Sequence, residues 1–207
     1  MSEQHVWYAA FGSNLLAERF AVYLTGGPIP LSTTGRVQRG ARNPALPTGD
    51  QPFSIERSLL FSGAVAQWGG GATASVDADH NPITPTLARA YRITLEQFED
   101  VFAQENGLDA PISIDVPALL AGPLDLTDRK YGRVELVGEI GVDPVVTLAT
   151  PSRPAQLAPA DSSYLTVMGR GLMESWNLTP RAAADYLASR PGNAGSCDPE
   201  ALATTLA

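Results

Sequence analysis

The sequence predicts an α+β fold in which many short strands form a closed or nearly closed sheet flanked by a few helices. Strand-like runs crowd the middle of the chain, helical periodicity appears in only four stretches, and the 17 prolines and 19 glycines fall mostly between these segments. With 207 residues, 44% of them hydrophobic, the chain can build one well-buried core and is short for two. The expected organisation is a single domain over residues 1–190, followed by a tail of uncertain order over residues 191–207. No internal repeat is present.

The first element is the apolar run Val6-Trp7-Tyr8-Ala9-Ala10-Phe11, read as a strand, which stops at Gly12-Ser13-Asn14. A helix over 14–25 follows, with Gly12 giving the turn its backbone freedom and Ser13 or Asn14 suited to the N-cap. Further strands are expected at 58–61, 72–76 and 87–93. Thr94 then caps a helix over 94–104, whose Leu95, Phe98, Val101 and Phe102 share one apolar face, and Asn106-Gly107 stops it. Strands at 131–137 and 145–149 precede helices at 163–175 and 179–189, the last opened by the capping pair Thr179-Pro180.

Several functions are excluded by charge and motif. A net charge of −8 is the opposite of a nucleic-acid footprint. No apolar run approaches the roughly 18 residues that span a membrane, and Met1-Ser2-Glu3-Gln4-His5 lacks the basic start and apolar core of a signal peptide, so a cytoplasmic location is expected. Cys197 is the sole cysteine and has no internal disulfide partner. Together with His5 and His80 it makes neither a usual zinc site nor a Cys-His pair, so no metal is expected. Gly69-Gly70-Gly71 lacks the Gly-Lys-Ser/Thr of a phosphate loop and reads as a close backbone approach to a neighbour or a ligand. Asp77-x-Asp79-x-Asn81 begins like a calcium loop, but Pro82 and Ala88 stand where Gly and Glu are needed, so it reads as a hairpin tip.

Two places carry chemistry. The strand-to-helix corner at Gly12-Ser13-Asn14 offers backbone amides at the positive end of a helix, a seat for a carboxylate or an oxyanion. Glu105 stands at the far end of the 94–104 helix, where a carboxyl near the negative pole in a partly dry site gains proton affinity and suits general acid–base work.

These residues bear a resemblance. Tyr8-Ala9-Ala10-Phe11-Gly12-Ser13-Asn14-Leu15 and its continuation Leu16-Ala17-Glu18-Arg19 look like the opening signature of the γ-glutamylcyclotransferase-like family, in particular its γ-glutamylcyclotransferase branch. Trp68-Gly69-Gly70-Gly71-Ala72-Thr73 is similar to that branch's Trp-x-Gly-Gly-x-Ala strand, and Gln104-Glu105-Asn106-Gly107 falls where the family has its catalytic Glu. Ser163-Tyr164 to Gly169 resembles the segment that closes the family's pocket. The departures are Phe11 in place of Tyr, the Asn106 between Glu105 and Gly107, and the segments 26–61 and 116–131, which have no counterpart.

The resemblance implies a small mixed β-barrel or sheet with flanking helices, and an enzyme of glutathione metabolism that releases 5-oxoproline and a free amine from a γ-glutamyl amino acid or amine. The substrate's own α-amino group attacks its γ-carbonyl, so no nucleophilic side chain and no cofactor are required. Glu105 would shuttle the proton; Phe11, Gly12, Ser13, Asn14, Leu15 and Tyr164 would bind the substrate. Trp68 and Tyr164 each also read as core. The alternatives are a non-catalytic small-carboxylate binder of the same fold, a related cyclotransferase acting on a specialised amine, and an interaction module. The expected partner is a small-molecule γ-glutamyl compound, with no nucleic acid or membrane; a homodimer is left open.

Overall fold

The computed structural model describes residues 4–31 and 34–207; the sequence reading of Met1–Glu3 lies outside them. Among the described residues ten strands and six α-helices follow in the order β1 His5–Ala10, α1 Ala17–Thr25, β2 Gly27–Pro28, β3 Val37–Gln38, β4 Gly49–Ile55, β5 Arg57–Ser62, β6 Thr73–His80, β7 Thr86–Thr94, α2 Leu95–Glu105, α3 Val116–Ala121, β8 Leu124–Asp125, β9 Arg133–Ile140, β10 Asp143–Ala149, α4 Ser162–Trp176, α5 Pro180–Ala188 and α6 Pro199–Leu206.

β1 organises the whole. Its apolar run has no polar alternation because both of its faces are covered, as befits a central strand. It pairs antiparallel with β7, from His5 against Thr94 to Ala10 against Arg89, and parallel with β10 through Trp7–Val145 and Tyr8–Val146. Val6, Tyr8 and Ala10 point to a core shared with Phe20 and Leu24 of α1, Phe98, Val101 and Phe102 of α2, and Leu119 of α3. Trp7 and Ala9, joined by Phe11, point to the other face, toward Leu59, Phe61 and Ala74 of the β5–β6 ribbon and Leu165, Met168 and Leu172 of α4. Each such Phe or Leu contributes about 1.5–3 kcal/mol by leaving water.

The expected closed or barrel-like sheet is not what forms. Six strands make one open mixed sheet in the order β4-β7-β1-β10-β9-β8, and β5 and β6 pair as a separate ribbon. The edges do not meet. β8 is only two residues long, and β4 carries Pro52, which has no N–H to give to a further strand. After β4 the chain leaves the sheet at Glu56, and β5 finds its outer contacts elsewhere: the Phe61 amide donates to the Pro191 carbonyl and the Phe61 carbonyl accepts from the Ala158 amide.

The Asp77–Asn81 segment is also not a hairpin tip. Asp77 and Asp79 lie within β6, whose partner is β5, and the turn after it carries the chain across to β7 in the other sheet. Arg153 holds the two aspartates at 3.2 and 3.4 Å. The Gly69–Gly71 run does meet a neighbour: a Cβ on Gly71 would stand 2.4 Å from the Asp161 amide nitrogen. Residues 199–206, inside the stretch to which the sequence assigns no element, form α6. Asp198 caps it by accepting from the Glu200 amide, and Leu206 packs where Gly169 of α4 leaves space, 2.6 Å from the position of a Cβ there.

Candidate active site

The strand-to-helix corner differs from a simple capped helix. Ser13–Leu15 make one 3-10 turn, and α1 begins only at Ala17 with Leu16 as an N-cap that offers no side-chain bond. The turn's own bonds run from the Leu15 amide to Gly12 (3.0 Å) and from the Leu16 amide to Ser13 (3.3 Å), leaving the Ser13 and Asn14 amides outside that ladder. Neither Ser13 nor Asn14 caps α1. The Asn14 side chain instead crosses to α2 and donates through Nδ2 to Glu105 Oε1 at 2.7 Å.

Glu105 is the last residue of α2, a helix fixed at its start by a reciprocal capping box between Thr94 and Gln97. Past its end, Asn106 Nδ2 donates to the Phe102 carbonyl and to the Tyr131 carbonyl, both at 3.0 Å, tying the helix end to the 126–132 loop. Part of the Glu105 surface stays open to a cavity, yet protein surrounds the carboxyl on its other sides. This desolvation raises its proton affinity; hydrogen bonds from Tyr23 and Asn14 and the charges of Arg19 and Arg36 oppose the rise without cancelling it.

The cavity has two connected parts. A small inner recess of about 40 Å³ is bounded by Tyr8, Phe11, Gly12, Ser13, Asn14, Tyr131, Leu148, Tyr164 and Glu105. An outer chamber of about 510 Å³ shares Ser13, Glu105, Tyr131 and Tyr164 and extends to Arg19, Tyr23, Arg36, Trp68, Gln104, Asn106, Arg129 and Lys130. Four buried polar atoms of residues around these spaces have no hydrogen-bond partner: Asn14 Oδ1, Arg19 Nε, Gln104 Oε1 and Asn106 Oδ1. Unmet polar capacity of this kind is costly in a finished core.

Phe11, Gly12, Ser13, Asn14, Tyr164 and Glu105 therefore meet around one recess. Leu15 does not. Its side chain is fully buried in the core, its amide is spent on Gly12, and its carbonyl accepts from Tyr91 and Arg89. Tyr164 is both core and wall: its ring packs against Trp68 at 4.9 Å, its hydroxyl accepts from the Ala74 amide at 3.2 Å, and burial pushes its phenol up to about 12. A Cβ on Gly12 would stand 2.8 Å from that hydroxyl, so close approach requires the glycine, while its φ of −105° makes no demand for the backbone freedom expected from the sequence.

Sequence reasoning did not find Tyr8, Tyr23, Arg19, Tyr131 or Lys130. Arg19 and Tyr23 are four apart on α1, so helical spacing alone places them on one face. Arg19 is fully buried with its guanidinium 4.7 Å from the Trp68 ring, one amine donating to the Pro30 carbonyl. Lys130 donates to the carbonyls of Ser62 (2.8 Å) and Thr73 (2.9 Å) and to the Thr73 hydroxyl (2.8 Å), and desolvation lowers it to about 8. Among the described residues no group of three or more His, Cys, Asp or Glu side chains is placed to hold a metal ion, and no helix is long and apolar enough to cross a membrane.

Among solved structures, one described as a gamma-glutamyl cyclotransferase covers 97% of this chain and 99% of its own at a TM-score of 0.54 and 14% identity. A second, an uncharacterized protein from Homo sapiens, covers 98% of this chain and 99% of its own at a TM-score of 0.52 and 15% identity. The fold is thus the γ-glutamylcyclotransferase-like fold. A curated protein, Histone deacetylase 5 of Arabidopsis thaliana, is 31% identical over 208 residues, covering 90% of this chain; the chain spans only 31% of that protein's length. No protein-family profile matches the chain.

Proposed function

We propose that this protein is a cyclotransferase that releases 5-oxoproline and a free amine from a γ-glutamyl compound. The observation that carries the reading is the Glu105 carboxylate, gripped by Asn14 at 2.7 Å at the junction of the two chambers and raised in proton affinity by desolvation. A group poised in this way can take a proton and return it. The fold likeness supports the class of reaction.

In this reading the carboxylate or the γ-carbonyl oxygen of the glutamyl head enters the inner recess, facing the Ser13 and Asn14 amides, while the rest of the substrate lies in the outer chamber. Glu105 takes a proton from the α-ammonium, freeing the nitrogen lone pair. That nitrogen attacks the γ-carbonyl carbon, and the new C–N bond closes the five-membered ring. The old C–N bond breaks as Glu105 returns its proton to the departing nitrogen, and the ring nitrogen gives its second surplus proton to the released amine, which leaves as the ammonium beside neutral 5-oxoproline. The recess supplies chiefly position, folding the chain into a near-attack ring, an effect that reaches several kcal/mol.

The test is mass-spectrometric detection of 5-oxoproline after incubation with γ-glutamyl amino acids, γ-glutamyl amines and glutathione, for the wild type and Glu105→Gln. Product from the wild type, with a loss of roughly 10²–10⁴-fold in the variant, is expected. Binding of glutamyl ligands without any product would point to the non-catalytic carboxylate binder, and equal turnover by both proteins would remove Glu105 from the mechanism.

A further inference from the structure

The outer chamber is unusual in charge. In a protein of net charge −8, it is lined by four cations, Arg19, Arg36, Arg129 and Lys130, and by a single acid, Glu105. Lys130 is the only lysine of the chain. None of the ion pairs made by the described residues involves a residue that lines this chamber. The cations are held by other means. Arg19 lies over Trp68 with its Nε unpartnered, Lys130 is fastened by Ser62 and Thr73, and Arg129 reaches to 3.9 Å from where a Cβ on Gly107 would stand, beside the residue that follows Glu105.

Four cations around a partly dry chamber, with one carboxylate among them, leave an excess of positive charge and repel one another, a cost that an anionic ligand reverses. The glutamyl head does not answer it, because the α-carboxylate carries its own α-ammonium and sits at the inner corner. The neutralising charge must come from the other end of the substrate. We infer that the outer chamber is a subsite for a leaving amine that bears more than one negative charge, a dicarboxylic amino acid being the simplest case. This rests on the proposed reaction for the meaning of "leaving amine", and on the charge pattern alone for the preference.

The experiment compares γ-glutamylglutamate with γ-glutamylglutamine, which match in shape and differ by one charge. Initial rates of 5-oxoproline release should favour the glutamate compound by about fivefold in kcat/KM, carried by KM. The preference should shrink as salt is raised, because Arg36 and Arg129 are exposed. The double variant Arg36→Gln/Arg129→Gln should bring the two substrates together. Equal kcat/KM in the wild type, or a preference for glutamine, would overturn the inference while leaving the cyclotransferase reading intact. If neither compound is turned over, that reading fails instead, and calorimetric titration of the same two dipeptides decides the subsite. Tighter binding of the glutamate compound would uphold it, and equal or absent binding would overturn it.

Discussion

Replacing Asn14 by Ala removes the 2.7 Å hydrogen bond from Nδ2 to Glu105 Oε1, along with the side-chain bond Asn14 shares with Tyr8. The rest of the corner is kept by backbone atoms that the substitution does not touch: the Asn14 carbonyl still accepts from Tyr91 at 2.8 Å and the Leu15 amide still closes the 3-10 turn. A hydrogen bond to a charged group is worth about 1.5–3 kcal/mol. Because the carboxylate accepts it more strongly than the protonated acid does, most of that energy favours ionised Glu105, and losing it raises the Glu105 carboxyl further, in the direction desolvation already pushes. The ionised base then appears only at higher pH. The acidic limb of a 5-oxoproline rate profile, recorded from about pH 5 to 9, should move upward, with kcat/KM below it falling by roughly 10–100-fold. Asn14→Asp should move the limb further, since it sets a second carboxylate beside the first. An unmoved or downward-shifted limb in Asn14→Ala, with the variant folded, would refute the role assigned to this contact.

A carboxyl whose folded proton affinity is raised holds its proton where the unfolded chain has lost it, so stability falls as pH rises from the unfolded value through the folded one. Glu105→Gln should therefore gain thermal stability relative to wild type at pH above that window and show no gain at acidic pH, as read by calorimetric melting at several pH values. Lys130 runs the other way: lowered to about 8, it loses its charge in the fold above that pH while the unfolded chain keeps it up to the usual lysine value, so wild-type stability should climb between about pH 8 and 10, and a Lys130→Met variant should lack that climb in denaturant titrations. Gly12→Ala drives a Cβ to 2.8 Å from the Tyr164 hydroxyl and should cost about 1–3 kcal/mol. Combining it with Tyr164→Phe removes the colliding oxygen, so a double-mutant cycle should return a favourable coupling; strict additivity would show that the clash is absorbed elsewhere.

What could be read before any coordinates were those parts where local pattern and tertiary demand agree. β1 announces itself as an unbroken apolar run because both faces of the sheet bury it, and α2 because Leu95, Phe98, Val101 and Phe102 repeat at helical spacing behind a Thr94 cap. β4 stayed hidden. As an edge strand with Asp50, Gln51 and Pro52 toward solvent, it has neither an apolar run nor clean alternation. α6 is short, and its Leu206 acquires meaning only from the gap that Gly169 opens on α4. At the corner, local capping preference assigns Ser13 or Asn14 to α1, whereas the fold spends the Asn14 amide on a carboxylate 91 residues away. Arg19 reads as an ordinary helix-surface cation until Trp68 arrives from the β5–β6 connection to cover it.

The balance struck at Glu105 bears on how one carboxylate can serve as base and then as acid. Desolvation lifts its proton affinity, while Asn14, Tyr23, Arg19 and Arg36 restrain the lift. In the proposed reaction the substrate supplies the remaining influence, and that influence changes sign of effect during turnover. An arriving α-ammonium about 4 Å from the carboxylate favours the ionised form by on the order of 4 kcal/mol at an effective dielectric of 20. Glu105 is then a carboxylate at the moment a base is needed. Once the proton has passed and the nitrogen is bound into the neutral ring, the attraction is gone and desolvation again favours the protonated acid. Glu105 then holds a proton at the moment the departing nitrogen needs one. A site without the fixed donors would keep the proton too tightly to begin, and one without the desolvation would lose it to solvent before the ring had closed, so the crossing of Asn14 from the corner to the end of α2 is as much a part of the chemistry as the carboxyl it meets.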